Sequence, residues 1–147
     1  LAADQIMVGV AGSSKKQLIE PLAGRAAELT GLCQRSLFEI VMRRERLGST
    51  AIGNGIAIPH AVHQDLTRTM GIIAVLTSPV DFDAQDCKPV DIVCLVIGPQ
   101  NADSDHLKCV SSVARSLREA SICDQIRAAK TPNELIGHLG NTSDEAA

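Results

Sequence analysis

The sequence predicts an α/β layer, one domain with helices on both faces of a β-sheet. Three observations carry that expectation. Ile6, Val8 and Val10 alternate as a strand does, near-continuous apolar runs at 71–76 and 91–98 suit strands buried on both faces, and helix-period segments lie between and after them. A chain of 147 residues, 45% of them hydrophobic, can bury one core without disulfide or metal staples.

The first strand runs into "AGSSKK", where Ser13 or Ser14 can cap a helix. That helix carries Leu18, Leu22, Ala26 and Leu29 on one face and stops at Gly31, with Pro21 inside it to remove a hydrogen bond and kink it. A second helix from about Gln34 to Arg46 buries Leu37, Ile40 and Val41. Its last turn, "RRER", suits the negative end of a helix dipole, and Gly48 follows as its stop. "GIAIP" then reads as a short strand whose end delivers His60. Between the two apolar runs, "DFDAQDCKPV" has the composition of a loop or hairpin connection. After "GPQNADSD" a helix presents Leu107, Val110, Ala114 and Leu117 on one face, with His106 in its first turn. In "TPNELIGHLG", Thr131 as N-cap, Pro132 at N1 and Glu134 at N3 form a capping box. Residues 1–5 and 141–147 are expected to fray. No internal repeat, low-complexity tract or linker interrupts the chain.

Trp and Tyr are absent and Phe appears twice, so the core must be aliphatic. A formal charge of −3 with a pI near 5.8 offers no basic field for nucleic acid, and no aromatic platform exists for single strands. No apolar run approaches the roughly 20 residues that span a bilayer, and the N-terminus lacks a signal peptide's basic region and cleavage site. The expectation is a soluble cytoplasmic protein with no direct membrane insertion. Because the chain starts at Leu1 rather than Met, a few native residues are expected to be missing or the numbering shifted. Five cysteines (Cys33, Cys87, Cys94, Cys109, Cys123) make an odd count without C-x-x-C spacing. They read as buried reduced thiols rather than a disulfide framework or a zinc knuckle.

"GSTAIGNGIAIPHAV" aims one histidine out of a Gly-rich stretch. An imidazole with an unperturbed pKa of about 6.5 suits proton transfer, metal binding or covalent phosphoryl carriage, and a lone His60 leaves all three open. Pro59 restrains the approach of the chain, and Gly53-Asn54-Gly55 permits backbone N–H groups to converge as an anion-binding nest. His106, in the first turn of a helix, sits where orphan N–H groups and the dipole favour an anion; the plainer reading is a surface histidine beside Asp105. Arg44 can clamp phosphate oxygens bidentately, or belong with Arg43 and Arg46 to a solvated helix end. His63 makes H-x-x-H with His60, near Asp65, which as a metal site is unselective in a loop; an exposed loop histidine is the simpler reading. His138 reads as surface.

The stretch "SLFEIVMRRERLGSTAIGNGIAIPHAV" resembles the signature of the phosphoenolpyruvate-dependent phosphotransferase system, specifically its IIA domains of the fructose/mannitol and nitrogen-regulatory type. "SSKKQLIEPLAGRAAELTG", "TSPVDFDAQDCKPVDIVCLVIGP" and "DHLKCVSSVARSLRE" extend the likeness over most of residues 6 to 140. The resemblance implies a mixed sheet flanked by helices. It implies that His60 accepts a phosphoryl group from a histidine phosphocarrier protein and passes it to a downstream IIB domain or affects regulatory target proteins. His106, in "DHLK", would lie beside the phosphorylated imidazole and Arg44 near the phosphoryl oxygens, with Asn54 and Gly55 in the turn that shapes the site. No metal, nucleotide or other cofactor is required, since the donor carries an activated N–P bond. Docking would use an apolar patch including Ile58, Ala61 and Val62.

Two positions depart from the family pattern: "IPHAVH" lacks the basic residue that often follows, and Pro21 interrupts a helix usually free of proline. The single-domain length favours the nitrogen-regulatory branch over sugar uptake. A regulatory interaction module indifferent to His60, and a metal-dependent hydrolase built on His60, His63 and Asp65, are the alternatives.

Overall fold

The computed structural model describes residues 3–100 and 103–137. Its centre is a six-stranded mixed sheet formed by β1 (Ile6–Val10), β2 (Ala51–Gly53), β3 (Ile56–Ala57), β4 (His60–His63), β5 (Met70–Val80) and β6 (Val90–Pro99). The order is β1-β5-β6-β3-β2, and β4 also pairs with β6. β5 and β6 run antiparallel, whereas β1 is parallel to β5, and β3 and β4 are both parallel to β6. Among the described residues, helices α1 (Lys15–Thr30), α2 (Gln34–Leu47), α3 (Asp103–Leu117) and α4 (Ala120–Ala128) accompany the sheet. Residues 132–137 are helical as well.

Over their apolar runs both long strands are covered on both faces, whereas Thr77, Ser78 and Pro79 of β5 are exposed. Along β6, Val93, Leu95 and Ile97 join Ile72 and Ala74 of β5 under α1 and α2, packing on Leu18, Leu22, Leu37 and Val41. The intervening Ile92, Cys94 and Val96 face the other way with Ile73 and Val75, against Leu117, Cys123 and Ile126. Each fully buried Leu or Ile stabilises the layer by about 1.5–3 kcal/mol relative to exposure. No helix among the described residues is long and apolar enough to cross a membrane.

Local signals set the helix ends. Ser14 is the cap of α1, its side chain accepting the Gln17 N–H at 3.2 Å, and Gly31 closes the helix in the left-handed region with φ 76°. The helix runs on through Pro21, between the buried Leu18, Ile19 and Leu22. Gly48 ends α2 in extended backbone (φ 163°) rather than a left-handed cap, a conformation open to any residue. Thr131 caps residues 132–137 by accepting the Glu134 N–H at 3.2 Å, but Glu134 reaches back to the Lys130 N–H rather than to Thr131 itself.

Several expectations are corrected. Residues 3–5 form a 3-10 turn, with Gln5 Nε2 donating to the Gly71 carbonyl at 3.0 Å, so these three residues are tied to the sheet, and residues 1 and 2 lie outside the described residues. α4 forms a separate helix although its sequence shows little apolar periodicity, since "ASICDQIRA" buries only Cys123 and Ile126. Cys33 and Cys87 are exposed thiols, because they sit at a helix start and in the β5–β6 connection; Cys94 and Cys123 are buried as expected. His138 and residues 141–147 lie outside the described residues.

Candidate functional site

Pro59 explains how the chain delivers His60. β3 follows the edge of β6 with Ile56 opposite Ile92 and Ala57 opposite Val93, and β4 resumes along the same edge with His60 opposite Val96. Between them, proline has no N–H to give the ladder, while its carbonyl still accepts the Val96 N–H at 2.9 Å. The Ile58 N–H turns instead to the Thr50 carbonyl at 3.0 Å. The ladder therefore breaks for two residues, and the histidine opens a new strand instead of ending the old one.

That break leaves the Ile58 carbonyl facing the His60 ring, 2.8 Å from Nδ1. A carbonyl can only accept, so Nδ1 carries the proton and the Nε2 lone pair is left uncommitted by this bond. His106 lies across from it, with ring centroids 5.8 Å apart and an interplanar angle of 48°. It is 4% exposed, so the surface reading of His106 gives way to a buried one. The helical face read from Leu107 is corrected by the same observation. Leu107 is 58% exposed, and α3 is turned so that His106 takes the inward position above Val110, Val113 and Leu117.

Gly98 of β6 makes that position possible. A Cβ built there would stand 2.7 Å from His106 Nδ1 and 3.2 Å from Thr69 Oγ1, so the imidazole occupies space any other residue would fill.

An open depression surrounds the histidine pair. Arg43, Arg44, Ile40 and Leu47 line it from α2, Ala61, Val62 and His63 from β4, Gln100 from just past β6 and Leu107 from α3. Arg44 is thus at the site, with Nη1 donating to the Gly48 carbonyl at 3.0 Å. Leu47 and Leu107, 82% and 58% exposed, are its apolar rim. Ala61 and Val62 belong to the expected patch, whereas Ile58 is 1% exposed and is part of the core.

Asn54 and Gly55 are not at this site. The Gly55 carbonyl accepts from the Asp91 and Ile92 N–H groups, at the opposite end of β6 from Val96, and both residues line a separate depression with Arg127. Asn54 and Gly55 have φ of 58° and 82°, linking the antiparallel β2 and β3 as a two-residue hairpin turn. The nest expected here does hold an anion, but it is the chain's own: the Asn54 N–H donates to Asp86 Oδ2 at 2.9 Å. That bond, ahead of a second from the Lys88 N–H, holds the Asp86 carboxyl below the usual carboxylate range. Arg127 completes the corner with two bonds to Asp91, at 2.8 and 3.0 Å, and one to the Asn54 carbonyl. The Asn-Gly dipeptide between short apolar segments is a hairpin signal, and that reading accounts for it.

His63 ends β4 rather than lying in a loop, and its Nδ1 accepts the Asp65 N–H at 3.0 Å. Among the described residues no group of three or more His, Cys, Asp and Glu side chains is arranged to hold a metal ion. Glu45, within "RRER", is buried at 4% exposure rather than solvated; nothing in the local sequence marks it, because its charged partner, Lys15, comes from α1.

The family model described as "Phosphoenolpyruvate-dependent sugar phosphotransferase system, EIIA 2" matches residues 1–141. A nitrogen regulatory protein of Bradyrhizobium diazoefficiens is 42% identical over 139 residues, covering 95% of this chain and 91% of its own length. The crystal structure of nitrogen regulatory protein IIA-Ntr from Neisseria meningitidis matches with a TM-score of 0.87 at 31% identity, over 94% of each chain. Enzyme IIA mannitol of Escherichia coli, solved in complex with phosphorylated IIB mannitol, matches in fold with a TM-score of 0.81 at 19% identity, over 96% of this chain and 97% of that one.

Proposed function

The chain belongs to the EIIA 2 family of the phosphoenolpyruvate-dependent sugar phosphotransferase system, and we propose that it carries a phosphoryl group on His60 Nε2. The observation that carries this reading is the bond from His60 Nδ1–H to the Ile58 carbonyl, 2.8 Å long, which leaves Nε2 as the nucleophile.

The donor is a phosphohistidine on a carrier protein. Its N–P bond breaks as the bond from phosphorus to His60 Nε2 forms, and the donor ring, protonated on its other nitrogen, leaves as neutral imidazole. No proton has to cross the interface. The proton stays on Nδ1, and the Ile58 carbonyl that accepts its hydrogen bond offsets the positive charge that grows on the ring during attack. Phosphoryl transfer asks a protein chiefly for alignment and for charge stabilisation at the equatorial oxygens. His106 and Arg44 are suited to the second task, helped by the positive amino-terminal end of α3. The apolar rim of Leu47, Val62 and Leu107 suits docking of the carrier and, later, of the acceptor.

The downstream partner is a regulatory target in the leading reading, which draws on the nitrogen regulatory relatives. A phosphoryl group adds up to about two negative charges to the docking face, enough to switch binding by repulsion or by a new arginine pair. The mannitol-type complex with phosphorylated IIB favours a second reading, transfer to a IIB domain in sugar uptake. Both readings set the protein in the cytoplasm, where phosphoenolpyruvate is made.

Intact-protein mass spectrometry tests the proposal. The protein and His60→Ala are incubated with phosphoenolpyruvate, the system's first enzyme and a sugar-type or nitrogen-type carrier. An acid-labile phosphate that His60→Ala fails to acquire is expected, formed faster with the nitrogen-type carrier. A preference for the sugar-type carrier transfers the assignment to uptake. Absence of label with both active carriers leaves a binding module that does not depend on His60.

A further inference from the structure

We propose that Glu45 is a positioning residue for His60, acting through Thr50 and the Ile58 peptide; the proposal rests on His60 being the phosphoryl carrier. Glu45 is an unusual tenant of its position. A carboxylate in the last turn of a helix faces the negative end of the dipole, and one only 4% exposed has also given up its water. Helix stability does not explain a glutamate there. Its hydrogen bonds do.

Glu45 Oε1 accepts the Thr50 N–H at 3.1 Å and pairs with Lys15 Nζ at 3.2 Å, while Oε2 accepts the Thr50 hydroxyl at 2.6 Å. The residue that follows α2's exit is therefore gripped at two atoms. Thr50 in turn accepts the Ile58 N–H on its carbonyl at 3.0 Å, and the Ile58 carbonyl accepts His60 Nδ1–H at 2.8 Å. Three consecutive links, the first of them a pair of bonds, run from the buried carboxylate to the imidazole. Pro59 raises the dependence on this route, because it supplies no N–H to the ladder at the break between β3 and β4. The orientation of the Ile58 carbonyl is then set on its N-terminal side by the Ile58 N–H on Thr50 and the Ile58 side chain, 1% exposed in the core, and on its C-terminal side by the Pro59 carbonyl on the Val96 N–H.

Lys15 keeps the arrangement affordable. It bridges Glu45 and Asp83 Oδ2 at 3.2 Å each and lies 5.5 Å from the centre of the Phe82 ring. The end of α2 and the β5–β6 connection thus meet at the Lys15 ammonium at the start of α1, and the Glu45 carboxylate held there passes its constraint on to the tautomer and aim of His60.

Nitrogen-15 NMR of the imidazoles and the rate of labelling by the phosphorylated carrier test this on the full chain. The unsubstituted protein is expected to hold its His60 proton on Nδ1. Glu45→Met keeps the volume but removes both acceptors; it should raise the Nε2–H fraction and slow labelling about tenfold or more. Thr50→Val removes the hydroxyl alone and should shift both readouts in the same direction by less, and Thr50→Ser should restore both. Unchanged tautomer and rate in the folded variants overturn the proposal. Slower labelling with an unchanged tautomer also overturns it, since a merely structural glutamate would act that way. If circular dichroism shows Glu45→Met unfolded, the Thr50 pair decides by the same two readouts. Absence of label in the unsubstituted protein refutes the phosphocarrier reading separately, and the tautomer comparison alone then judges Glu45.

Discussion

Gly98 lies directly beneath the His106 imidazole: a methyl group on its Cα would stand 2.7 Å from Nδ1 and 3.3 Å from Cγ. The inward turn of His106, and with it the 5.8 Å approach to His60, depends on that missing side chain. Gly98→Ala should force the ring outward. Overpacking of this kind costs about 1–3 kcal/mol, so the variant should melt several degrees lower. Labelling of His60 should also slow, whereas Gly71→Ala, which meets nothing closer than a carbonyl oxygen at 3.7 Å, should label normally. Melting curves and labelling rates on the pair decide it.

His106 contributes to charge stabilisation and not to the covalent step in the proposed chemistry. His106→Ala should therefore still become phosphorylated on His60, but about 100-fold more slowly, the usual loss when one donor to a developing anion is removed. Single-turnover labelling with saturating phosphorylated carrier measures it. A variant as dead as His60→Ala would show that the transfer requires His106 outright and would overturn this merely assisting role.

The sheet and the site were legible to different depths, and the reasons are physical. The double-sided burial of β5 and β6 followed from unbroken apolar runs, which no loop or amphipathic helix tolerates. β2 and β4 were missed because three and four residues are too few to display a period, and they exist through pairing with β3 and β6. His60 stood out by its Pro59 and glycine context. Its partner was harder: α3 can be read with Leu107 or His106 facing inward, and only the space above Gly98 chooses the histidine. Asn54 and Gly55 misled because a φ-positive turn looks alike whether it binds a ligand or closes a hairpin.

Gly55 supplies a test of that last distinction. A Cβ there would meet Asp91 Oδ1 at 2.8 Å and Arg127 Nη2 at 2.9 Å, and its φ of 82° is strained for any other residue. Gly55→Ala should lose about 1–3 kcal/mol of stability from strain and the disturbed ion pair. At a temperature where it is folded it should label at the normal rate, since the turn sits at the far end of β6 from His60. Loss of labelling without loss of stability would return the turn to the active site.

Leu47 and Leu107 flank the depression from opposite helices, and their exposure makes them poor contributors to the fold. Leu47→Glu and Leu107→Glu should each change stability by less than about 0.5 kcal/mol. Each should raise the KM for the phosphorylated carrier about tenfold while leaving kcat near normal, the signature of lost docking. Val62→Glu should act in the same direction. Steady-state transfer kinetics check all three, and an unchanged KM in every one would remove this rim from the carrier interface.

Thiol reactivity separates the five cysteines and carries a defined pH dependence. Cys33 is exposed before the first turn of α2, and hydrogen bonds from Ser36, with a further one from Arg35, hold its thiol below the ordinary range. Cys94 is buried, and that burial pushes its thiol up to about 12. A lowered pKa means more thiolate at a given pH, so alkylation of Cys33 should reach half its maximal rate at a lower pH than a free cysteine does. Cys94 should stay unmodified in the native protein and react only on unfolding. Timed maleimide labelling with peptide mass spectrometry, run from pH 6 to 9, measures both. Native Cys94 modification at a rate near that of Cys33 would mean that the sheet opens around β6, and His60, held on the same strand at Val96, would open with it.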